Sequence, residues 1–565
     1  MPKPTQIGRL LEHCVGAAWT IREECVEILS AKDCYAPTGT SLAGCGPALV
    51  DLLSRQANIA HSLYQENTAG TITRAVLEDR EKPSYLQRYN LALKRLEDIA
   101  SIAYSKFYAY LFKDLPVCWR QLYTDARILK FCLLLLKSPY VAQDKSSGGS
   151  SPDDAHNCLD ELVKTLDLAL ILAGAAGERR GRRWVDKALE LLHAAWLAES
   201  TGREILNDSA TNHDRPVKQV KFVESHGTSK LHDDNDQNTG TIFSTYEPFT
   251  PPVTRPIEKV DALSMEDFQT YMDRAQNSDL GPEPLIIRNA LGEWPALSTR
   301  PWNRPSYLLS QTFNGRRLVP VEIGRSYVDE GWGQKLITFG EFLHDYIDPT
   351  LLPKAKDPSA TDANYNNHED HTTSKSTKDT PSSKPVAYLA QHQLFTQLPT
   401  LRNDILIPDY CYTSPPPHLA DPSINQPELD EPLLNAWFGP PGTISPLHND
   451  PYHNILTQIV GRKYLRLYSP LETTRLSARG KENGVEMGNT SMLDIGVLEG
   501  WDSPPASEEH DIENAAKNGI GRDAFKAIPF VDCILEPGDA LYIPIGWWHY
   551  VRGLSVSFSV SFWWN

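Results

Sequence analysis

The feature of this sequence that most constrains its fold is a change in hydrophobic periodicity between its two halves. From Thr5 to about residue 207, apolar residues recur at steps of three and four, as they do between Tyr85 and Phe112. After about Phe243 this pattern gives way to Pro-rich turns, short β-branched and aromatic runs, and frequent Trp. The sequence therefore predicts an α+β multidomain chain, in which an N-terminal all-α helical domain precedes an all-β core with decorating helices.

Polar stretches set the predicted domain boundaries. A helical domain over residues 1–207 is followed by a polar linker over residues 208–242 and by a second domain over residues 243–565. Within the second domain, residues 353–385 contain no Leu, Ile, Val, Phe or Trp, so we expect this insertion to be disordered. A second polar insertion, residues 477–526, retains scattered apolar side chains, and we expect it to be partly ordered.

Charge argues against a protein that wraps nucleic acid by electrostatics alone. The 55 basic and 72 acidic residues leave a formal net charge of −17. One dense basic cluster, which fits either a nucleic-acid or nuclear-import role or a solvated surface, consists of Arg179, Arg180, Arg182 and Arg183. No aromatic residues are interleaved with these arginines, so the solvated surface is favoured, and we predict no strong nucleic-acid signal.

No segment has the length or layout of a membrane or secretory element. The longest apolar runs fall short of the ~18 residues that a membrane span needs, and the N-terminus lacks a basic-then-apolar arrangement. The nine cysteines include no pair separated by two residues, so buried reduced thiols are favoured over a zinc knuckle or redox motif. We expect an intracellular protein, in the nucleus, the cytoplasm or both.

A pattern of metal-binding residues lies in the second half. His448 and Asp450 are two residues apart, and on an extended backbone their side chains project to the same side. About a hundred residues later, a Pro-Gly-Asp turn and a short strand lead to His549. A His-x-Asp pair with a distant second histidine forms a facial triad, which leaves coordination positions on iron(II) open for a substrate and oxygen.

A lysine close to this pattern predicts a bound anion. In the strand that follows the His-x-Asp pair, alternation places Lys463 on the same face as the apolar Leu465 and Leu467. An ammonium group on that face needs a negative partner, which a bound dicarboxylate supplies better than an internal salt bridge or a side chain reaching to the rim. Asn454 lies on the same face as Leu456 and could donate its amide to the same anion.

These segments resemble the JmjC family of iron(II)- and 2-oxoglutarate-dependent oxygenases, and within it the branch that comprises lysine-specific demethylase 8 and the JmjC arginyl hydroxylases. Besides the two segments above, the resemblance covers 284–289, 319–324, 388–395, 407–410 and 555–565. It implies a double-stranded β-helix, the cupin or jelly-roll barrel, with iron at its mouth.

The resemblance also implies roles for individual residues. It makes His448, Asp450 and His549 the catalytic iron ligands and assigns the 2-oxoglutarate contacts to Tyr388, Asn454 and Lys463. Ser445, Trp437 and Trp563 are expected to line the cofactor pocket, although core packing explains the two tryptophans equally well.

The implied activity is hydroxylation of a protein or peptide side chain, with Fe(2+) and 2-oxoglutarate as cofactors. Arginyl hydroxylation is favoured over lysyl demethylation because no cage for a methylated ammonium group can be recognised. Strand parity allows Glu322 to point inward and pair with a guanidinium, beside Trp332, while an exposed rim carboxylate is the alternative for Glu322. A chromatin-associated partner is compatible with the resemblance.

Two other functions remain open at this stage. One is a non-catalytic scaffold in which the helical domain binds a partner, and the other is a metal cupin that acts on small molecules. Retention of the three metal ligands together with Lys463 argues against the scaffold, and the large helical appendage favours a macromolecular substrate over a small one.

Overall fold

A computed structural model describes most of the chain. The described residues are 5–31, 41–68, 83–110, 114–141, 152–211, 241–274, 280–329, 331–348, 386–482, 485–503 and 522–565. Contacts between Cα atoms divide the chain into two units. The first comprises residues 1–237 together with 316–318, and the second comprises residues 238–315 and 319–565.

The first unit is helical. Its helices are α1 (Gln6–Ser30), α2 (Pro47–Thr68), α3 (Pro83–Phe107), α4 (Val117–Leu136), α5 (Pro152–Ala173) and α6 (Gly181–Thr211). Helix α1 begins after Thr5, whose hydroxyl accepts the backbone N–H of Gly8 at 3.1 Å and so caps the helix. Helix α4 packs against α1, α3 and α5, and it is buried on nearly all sides because apolar residues occupy almost its whole circumference.

The basic cluster at the start of α6 is tied into ion pairs of this helical unit. Arg180 is only 5 % exposed and donates to Asp125 and to Glu24, each at 2.8 Å. Arg179 and Arg182 pair with acidic residues of α1 and α6. The expectation of a solvated surface therefore fails for Arg180, because folding buries its side chain between two carboxylates.

The second unit is built on β-sheets. Its strands are β1 (Glu258–Asp261), β2 (Leu285–Arg288), β3 (Leu318–Ile323), β4 (Gly333–Thr338), β5 (Ala387–His392), β6 (Leu433–Gly439), β7 (Ile444–His448), β8 (His453–Val460), β9 (Lys463–Tyr468), β10 (Lys481–Glu482), β11 (Val485–Glu486), β12 (Val531–Leu535), β13 (Ala540–Ile543), β14 (Trp548–Gly553) and β15 (Ser557–Trp564). The helices of this unit are α7 (Met265–Asp273), α8 (Pro305–Gln311), α9 (Phe339–Phe342), α10 (Leu394–Gln397), α11 (Pro399–Arg402), α12 (Ile495–Glu499) and α13 (Arg522–Lys526).

The strands form two large sheets that pack face to face. The nine-stranded sheet has the order β1-β2-β13-β8-β15-β6-β5-β3-β4, and the four-stranded sheet has the order β12-β9-β14-β7. Leu456 and Leu541 of the larger sheet share one apolar cluster with Leu465 and Val551 of the smaller one. This cluster lies between the sheets, as expected for the interior of a cupin barrel.

The outer faces of both sheets are covered as well. Phe438 and Phe558 stack with ring centroids 4.7 Å apart and belong to a core shared with Trp302 and other residues outside the strands. On the outer side of the smaller sheet, Tyr464 and Tyr468 pack with residues of the second polar insertion. Six strands of the two sheets are therefore buried along their whole length on both faces, namely β7, β8, β9, β13, β14 and β15.

The fold class predicted from the sequence is confirmed. Helix α6 continues to Thr211, past the predicted end of the helical domain at residue 207, because extending an established helix through polar residues costs little. Residues 212–240 of the predicted linker and the whole of the 353–385 insertion lie outside the described residues.

Two further expectations concern the described ranges only. In them, no helix is both long and apolar enough to cross a membrane. The eight cysteines of these ranges are free thiols, and all except Cys158 are buried.

Candidate metal and cofactor site

Two antiparallel strands of the smaller sheet bring the three predicted metal ligands together. Strand β7 ends at His448, and the register pairs this residue with His549 of β14. Asp450 follows just beyond the end of β7. The ligand atoms of the three residues lie within 4.8 Å of one another, and Nε2 of His549 lies 3.5 Å from Oδ2 of Asp450. Two imidazoles and one carboxylate on one side suit a divalent transition metal.

Backbone carbonyls determine which ring nitrogen of each histidine faces the cluster. Nδ1 of His448 lies 2.7 Å from the carbonyl oxygen of Pro446, and Nδ1 of His549 lies 3.0 Å from that of Trp547. A carbonyl only accepts hydrogen bonds, so each Nδ1 carries the proton and donates it. The lone pair of each imidazole therefore sits on Nε2, where a metal ion can use it.

The electrostatics of the cluster give its ligands the protonation states that metal binding requires. Burial lowers the pKa of His448 to about 4, and His549 contributes a smaller lowering. Burial alone would raise the pKa of Asp450, but the close contact with His549 and the electrostatic influence of both imidazoles outweigh it and lower that pKa. At neutral pH, His448 is thus neutral and Asp450 is ionised, which leaves their donor atoms unprotonated.

Lys463 lies inside the barrel without a carboxylate partner. Its side chain is 1 % exposed, and its Nζ donates to the hydroxyl of Tyr388 at 3.2 Å. Among the residues that the structure describes, no carboxylate oxygen lies within 4.0 Å of this ammonium group. Burial lowers the pKa of Lys463 to about 7. Neither alternative considered for this lysine, an internal salt bridge or a side chain reaching to the rim, is therefore found in the described part of the chain.

One narrow cavity connects Lys463 with the metal cluster. Trp437 forms part of its wall and is held by an indole N–H that donates to Oγ of Ser561 at 3.0 Å. Oδ1 of Asn454 is buried and has no hydrogen-bond partner among the described residues. The described residues that line the cavity are Tyr388, Trp437, Ser445, His448, Asp450, Asn454, Leu456, Lys463, Ile543, His549, Val551 and Ser561.

Trp563 was predicted to line the cofactor pocket, but it is not among the described residues that line this cavity. It lies on β15 opposite Asn454, two residues beyond Ser561 on the same face. Its ring stacks on Tyr452 with centroids 5.6 Å apart. Packing at the end of the cavity thus accounts for its position.

The two predicted substrate residues meet next to the cavity. Glu322 of β3 pairs in register with Tyr388 of β5. The indole N–H of Trp332 donates to the carboxylate of Glu322 at 3.4 Å. Burial is the main reason why the pKa of Glu322 is raised. Glu322 is therefore a half-buried carboxylate with an aromatic neighbour rather than an exposed rim carboxylate.

The second polar insertion contributes a part of the site that the sequence did not reveal. Thr490 forms an isolated antiparallel bridge with His448, and the N–H of Ser491 donates to the carbonyl of Leu447 at 2.8 Å. The hydroxyl of Tyr327 lies 3.2 Å from Oγ1 of Thr490. The insertion thus extends the smaller sheet beside β7, the strand that ends at His448. Its polar composition carried no signal for this pairing, whereas the alternating serines of β15 could have pointed to Ser561.

Comparison with known proteins is consistent with this geometry. The cupin-like domain family matches residues 275–565, which include the whole metal cluster and the cavity lining. The chain belongs to this family. It contains a cupin-like JmjC domain, and it is a 2-oxoglutarate-dependent oxygenase of the JmjC type.

Three relatives show how far the similarity of this JmjC protein extends. It is 30 % identical over 476 residues to lysine-specific demethylase 8 of Danio rerio, covering 84 % of this chain and 88 % of that protein. It is 37 % identical over 309 residues to lysine-specific demethylase JMJ30 of Arabidopsis thaliana, covering 55 % and 54 % of the two chains. It is 34 % identical over 322 residues to Jumonji C domain-containing protein 5 of Drosophila melanogaster, covering 57 % and 63 %.

Proposed function

We propose that this JmjC oxygenase hydroxylates arginyl side chains of a protein or peptide. In this proposal iron(II) is held by His448, Asp450 and His549, and 2-oxoglutarate is bound by Tyr388, Ser445, Asn454 and Lys463. The observation that carries it is the cavity itself, in which a cluster of metal-ligand type and a buried, carboxylate-free ammonium group face the same space.

The donor set suits iron(II). Each imidazole keeps its Nε2 lone pair because its Nδ1 donates to a backbone carbonyl, and Asp450 supplies one negative oxygen. Three ligands on one side leave positions for a bidentate cosubstrate and dioxygen. When bound, iron(II) and 2-oxoglutarate supply the oxidising chemistry of the family, in which dioxygen and 2-oxoglutarate yield succinate, carbon dioxide and a hydroxylated carbon.

The opposite end of the cavity suits a carboxylate. Lys463 supplies a positive charge, and the Tyr388 hydroxyl that accepts from it still has a proton to donate. Ser445 adds a hydroxyl, and the amide of Asn454 adds further donor capacity. A buried cation that lacks a carboxylate partner is costly, so binding an anion here removes a desolvation penalty in addition to forming hydrogen bonds.

The remaining residues of the cavity orient the cosubstrate and exclude water. Leu456, Ile543 and Val551 provide apolar walls between the two polar ends. Trp437 is fixed by its hydrogen bond to Ser561 and closes one side. A dry cavity of this shape strengthens the charge interactions at both ends and limits side reactions with water.

Glu322 and Trp332 support a cationic substrate. A half-buried carboxylate whose pKa is raised by burial gains from a positive partner, and a planar guanidinium can also lie against the adjacent indole. Burial is the main cause that raises the pKa of Tyr327 to about 12. The negative charges of Asp450 and Glu322 raise this pKa further, so both carboxylates lie close enough to influence the Tyr327 hydroxyl. This double influence supports a substrate slot that leads from Glu322 towards the metal cluster.

Lysyl demethylation is the second candidate, supported by the names of two relatives, each of which is called a lysine-specific demethylase. The same site could attack an N-methyl carbon, after which the hydroxylated methyl group leaves as formaldehyde. These names also support a protein substrate, and they make a chromatin-associated protein a reasonable first choice for testing.

Mass spectrometry of peptides distinguishes the two reactions. The full-length protein is incubated with iron(II), 2-oxoglutarate and oxygen, together with matched peptides that carry either arginine or methyl-lysine. We expect an oxygen atom to be added to the arginyl peptide, with stoichiometric succinate. Loss of a methylene mass with formaldehyde from the methyl-lysine peptide alone would favour demethylation instead.

Glu322→Gln provides the matched variant for this test. It keeps the size of the side chain but removes the charge, so KM for the arginyl peptide should rise by about 10-fold or more while peptide-independent succinate formation is retained. An unchanged KM would remove Glu322 from the substrate slot.

A further inference from the structure

A second cavity lies on the outer face of the smaller sheet, apart from the metal cluster. It has a volume of about 350 Å³, within the range of sites that hold small organic molecules. Strand β9 separates the two sites, because its alternating side chains point to opposite faces. Lys463 belongs to the inner cavity, whereas Arg466 and Tyr468 line the outer one.

The charged residues in the wall of this outer cavity are predominantly cationic. It carries Arg255, Arg466 and Lys526 but, among its described lining residues, only one carboxylate, that of Glu499. Glu499 accepts from Arg466 at 2.5 Å, which leaves the other two cations. Arg255 and Lys526 have exposed side chains and make no ion pair with any residue in the described part of the chain. The cavity therefore has an excess of two positive charges.

One buried hydroxyl at the cavity lacks an acceptor among the residues that the structure describes. The Tyr468 side chain is completely buried, and its hydroxyl has no hydrogen-bond partner among the described residues. Arg466, Glu499 and Arg255 all act on it electrostatically, and Arg466 can only donate to its oxygen, because guanidinium groups do not accept hydrogen bonds. The proton of this hydroxyl therefore still needs an acceptor, and leaving it without one is unfavourable.

The cations are held in place by a chain of buried hydrogen bonds. Asp532 is completely buried, and its carboxylate accepts the backbone N–H groups of Thr254 and Arg255 and the hydroxyl of Tyr464. The same Tyr464 hydroxyl accepts from Nε of Arg466 at 3.0 Å. One carboxylate thus fixes both the segment that carries Arg255 and, through Tyr464, the guanidinium of Arg466.

Aromatic rings complete this arrangement. The guanidiniums of Arg255 and Arg466 lie 4.7 Å and 4.1 Å from the ring centroid of Phe530, and Arg466 lies 5.1 Å from that of Trp501. Such contacts order a cation without neutralising its charge. The two guanidiniums are therefore oriented in advance, and an incoming anion does not have to order them.

We propose that this outer cavity, lined by Arg255, Arg466, Lys526 and the Tyr468 hydroxyl, binds a small organic anion that carries at least two negative charges. The anion accepts the Tyr468 proton and pairs with Arg255 and Lys526. Phosphate esters and polycarboxylates share this chemistry. The site lies on the opposite face of β9 from the proposed 2-oxoglutarate contacts, so its occupation does not depend on the proposed activity.

Calorimetric titration of the full-length protein tests this site. The protein is first saturated with iron(II) and 2-oxoglutarate under anaerobic conditions, at low ionic strength, and is then titrated with adenosine monophosphate or with tricarballylate. Uncharged adenosine serves as the ligand control. We expect saturable binding of at least one of the two anions and none of adenosine, and the more strongly bound anion identifies the preferred chemistry.

Charge variants locate the binding. Arg255→Gln combined with Lys526→Gln should raise Kd at least 10-fold, whereas the exposed pair Lys259→Gln with Lys335→Gln removes the same charge outside the cavity and should leave Kd within about 2-fold. Tyr468→Phe should weaken binding several-fold with little change in the unfolding temperature, because the hydroxyl has no acceptor to lose among the described residues.

Three results would overturn the proposal. One is the absence of binding by both anions. Another is equal weakening by the cavity pair and the control pair, which would indicate diffuse attraction to surface charge. The third is binding that is retained in the cavity pair but lost in Lys463→Ala, which would place the anion inside the barrel.

Discussion

Two buried cations, Arg180 in the helical unit and Lys463 in the barrel, differ in whether the fold provides a carboxylate partner for their charge. In the helical unit, Arg180 is enclosed by Asp125 and Glu24, each at 2.8 Å. In the barrel, Lys463 is even more deeply buried, yet its hydrogen bond to the neutral Tyr388 hydroxyl is accompanied by no carboxylate among the described residues. The charge of Arg180 is compensated within its own fold, although its Nη1 has no hydrogen-bond partner among the described residues, whereas Lys463 has no counter-charge among them.

We propose that this difference separates a structural charge, that of Arg180, from a ligand-binding one, that of Lys463. A buried ion pair that is fully hydrogen-bonded holds neighbouring elements in register, and losing one partner leaves the other charge uncompensated. A buried cation without a counter-ion destabilises the ligand-free protein, because its desolvation is not offset. Binding of an anion offsets that desolvation. Substitution of the two cations should therefore have opposite consequences, one for folding and one for cofactor binding.

The largest expected effect concerns the metal cluster beside Lys463. His448→Ala removes one of three proposed ligands, so we expect 2-oxoglutarate turnover to fall below detection while the circular dichroism spectrum is retained. Metal content after dialysis and succinate release are the measurements. Asn449→Ala is the matched control on the neighbouring residue, and this variant should retain both the bound metal and succinate release. Turnover that survives in His448→Ala would contradict the ligand assignment.

The next effect concerns the paired cation. Arg180→Ala leaves the carboxylate of Asp125 buried without its partner, and we expect the helical unit to lose about 3–5 kcal/mol of unfolding free energy. Thermal unfolding followed by the helical circular dichroism signal measures this loss. Arg179→Ala removes an exposed, solvent-screened pair with Glu27 and should cost far less unfolding free energy than Arg180→Ala. Equal losses for the two variants would mean that burial of the Arg180 pair contributes nothing.

Lys463→Ala should produce the reverse pattern. Removing a buried ammonium group that has no carboxylate partner should not lower the unfolding temperature, but the KM for 2-oxoglutarate should rise by about 10- to 100-fold because a charge-assisted contact is lost. Steady-state succinate formation and thermal unfolding are measured on the same preparation. A marked loss of stability with an unchanged KM would assign Lys463 to the framework instead of the cofactor site.

The smallest effect is a pH dependence of cofactor binding. Burial lowers the pKa of Lys463 to about 7, below the ~10.4 of an exposed lysine, so above pH 7 the free site holds a neutral amine. Pairing with a dicarboxylate restores the charge and takes up a proton, and the apparent affinity for 2-oxoglutarate should therefore fall between about pH 7 and pH 9. Lys463→Arg stays charged and should flatten this dependence. Persistence of the same slope in the arginine variant would trace it to another group.

The lowered pKa of Lys463 also affects the folding stability of the ligand-free protein. The unfolded chain keeps this lysine protonated up to about pH 10.4, while the folded protein releases the proton near pH 7. Because the unfolded state binds more protons in this window, the contribution of Lys463 to folding stability rises with pH from about 7 to about 10. Scans of thermal unfolding against pH should show this contribution in the parent protein and lose it in Lys463→Ala.

Local patterns in the sequence were sufficient for several features of this protein. The spacing of His448 and Asp450 and the alternation that turns Lys463 inward depend on the two-residue period of an extended backbone, which is encoded by neighbouring residues. The change from helical to β periodicity likewise determined the fold class. Strand parity also pointed to Asn454 and Glu322, whereas resemblance to the JmjC family supplied Tyr388, Ser445, Trp437 and Trp563.

Other features depended on contacts between distant segments, and only the tertiary structure decided them. The register that pairs His448 with His549, the pairing of Thr490 with β7, and the two carboxylates around Arg180 join residues far apart in the chain. Charge and polarity in the sequence did not reveal that Arg180 is buried or that Tyr468 lacks an acceptor. Periodicity determines which way a side chain faces, but the groups that meet it are set by long-range packing, and that packing distinguishes a paired structural charge from one that can bind a ligand.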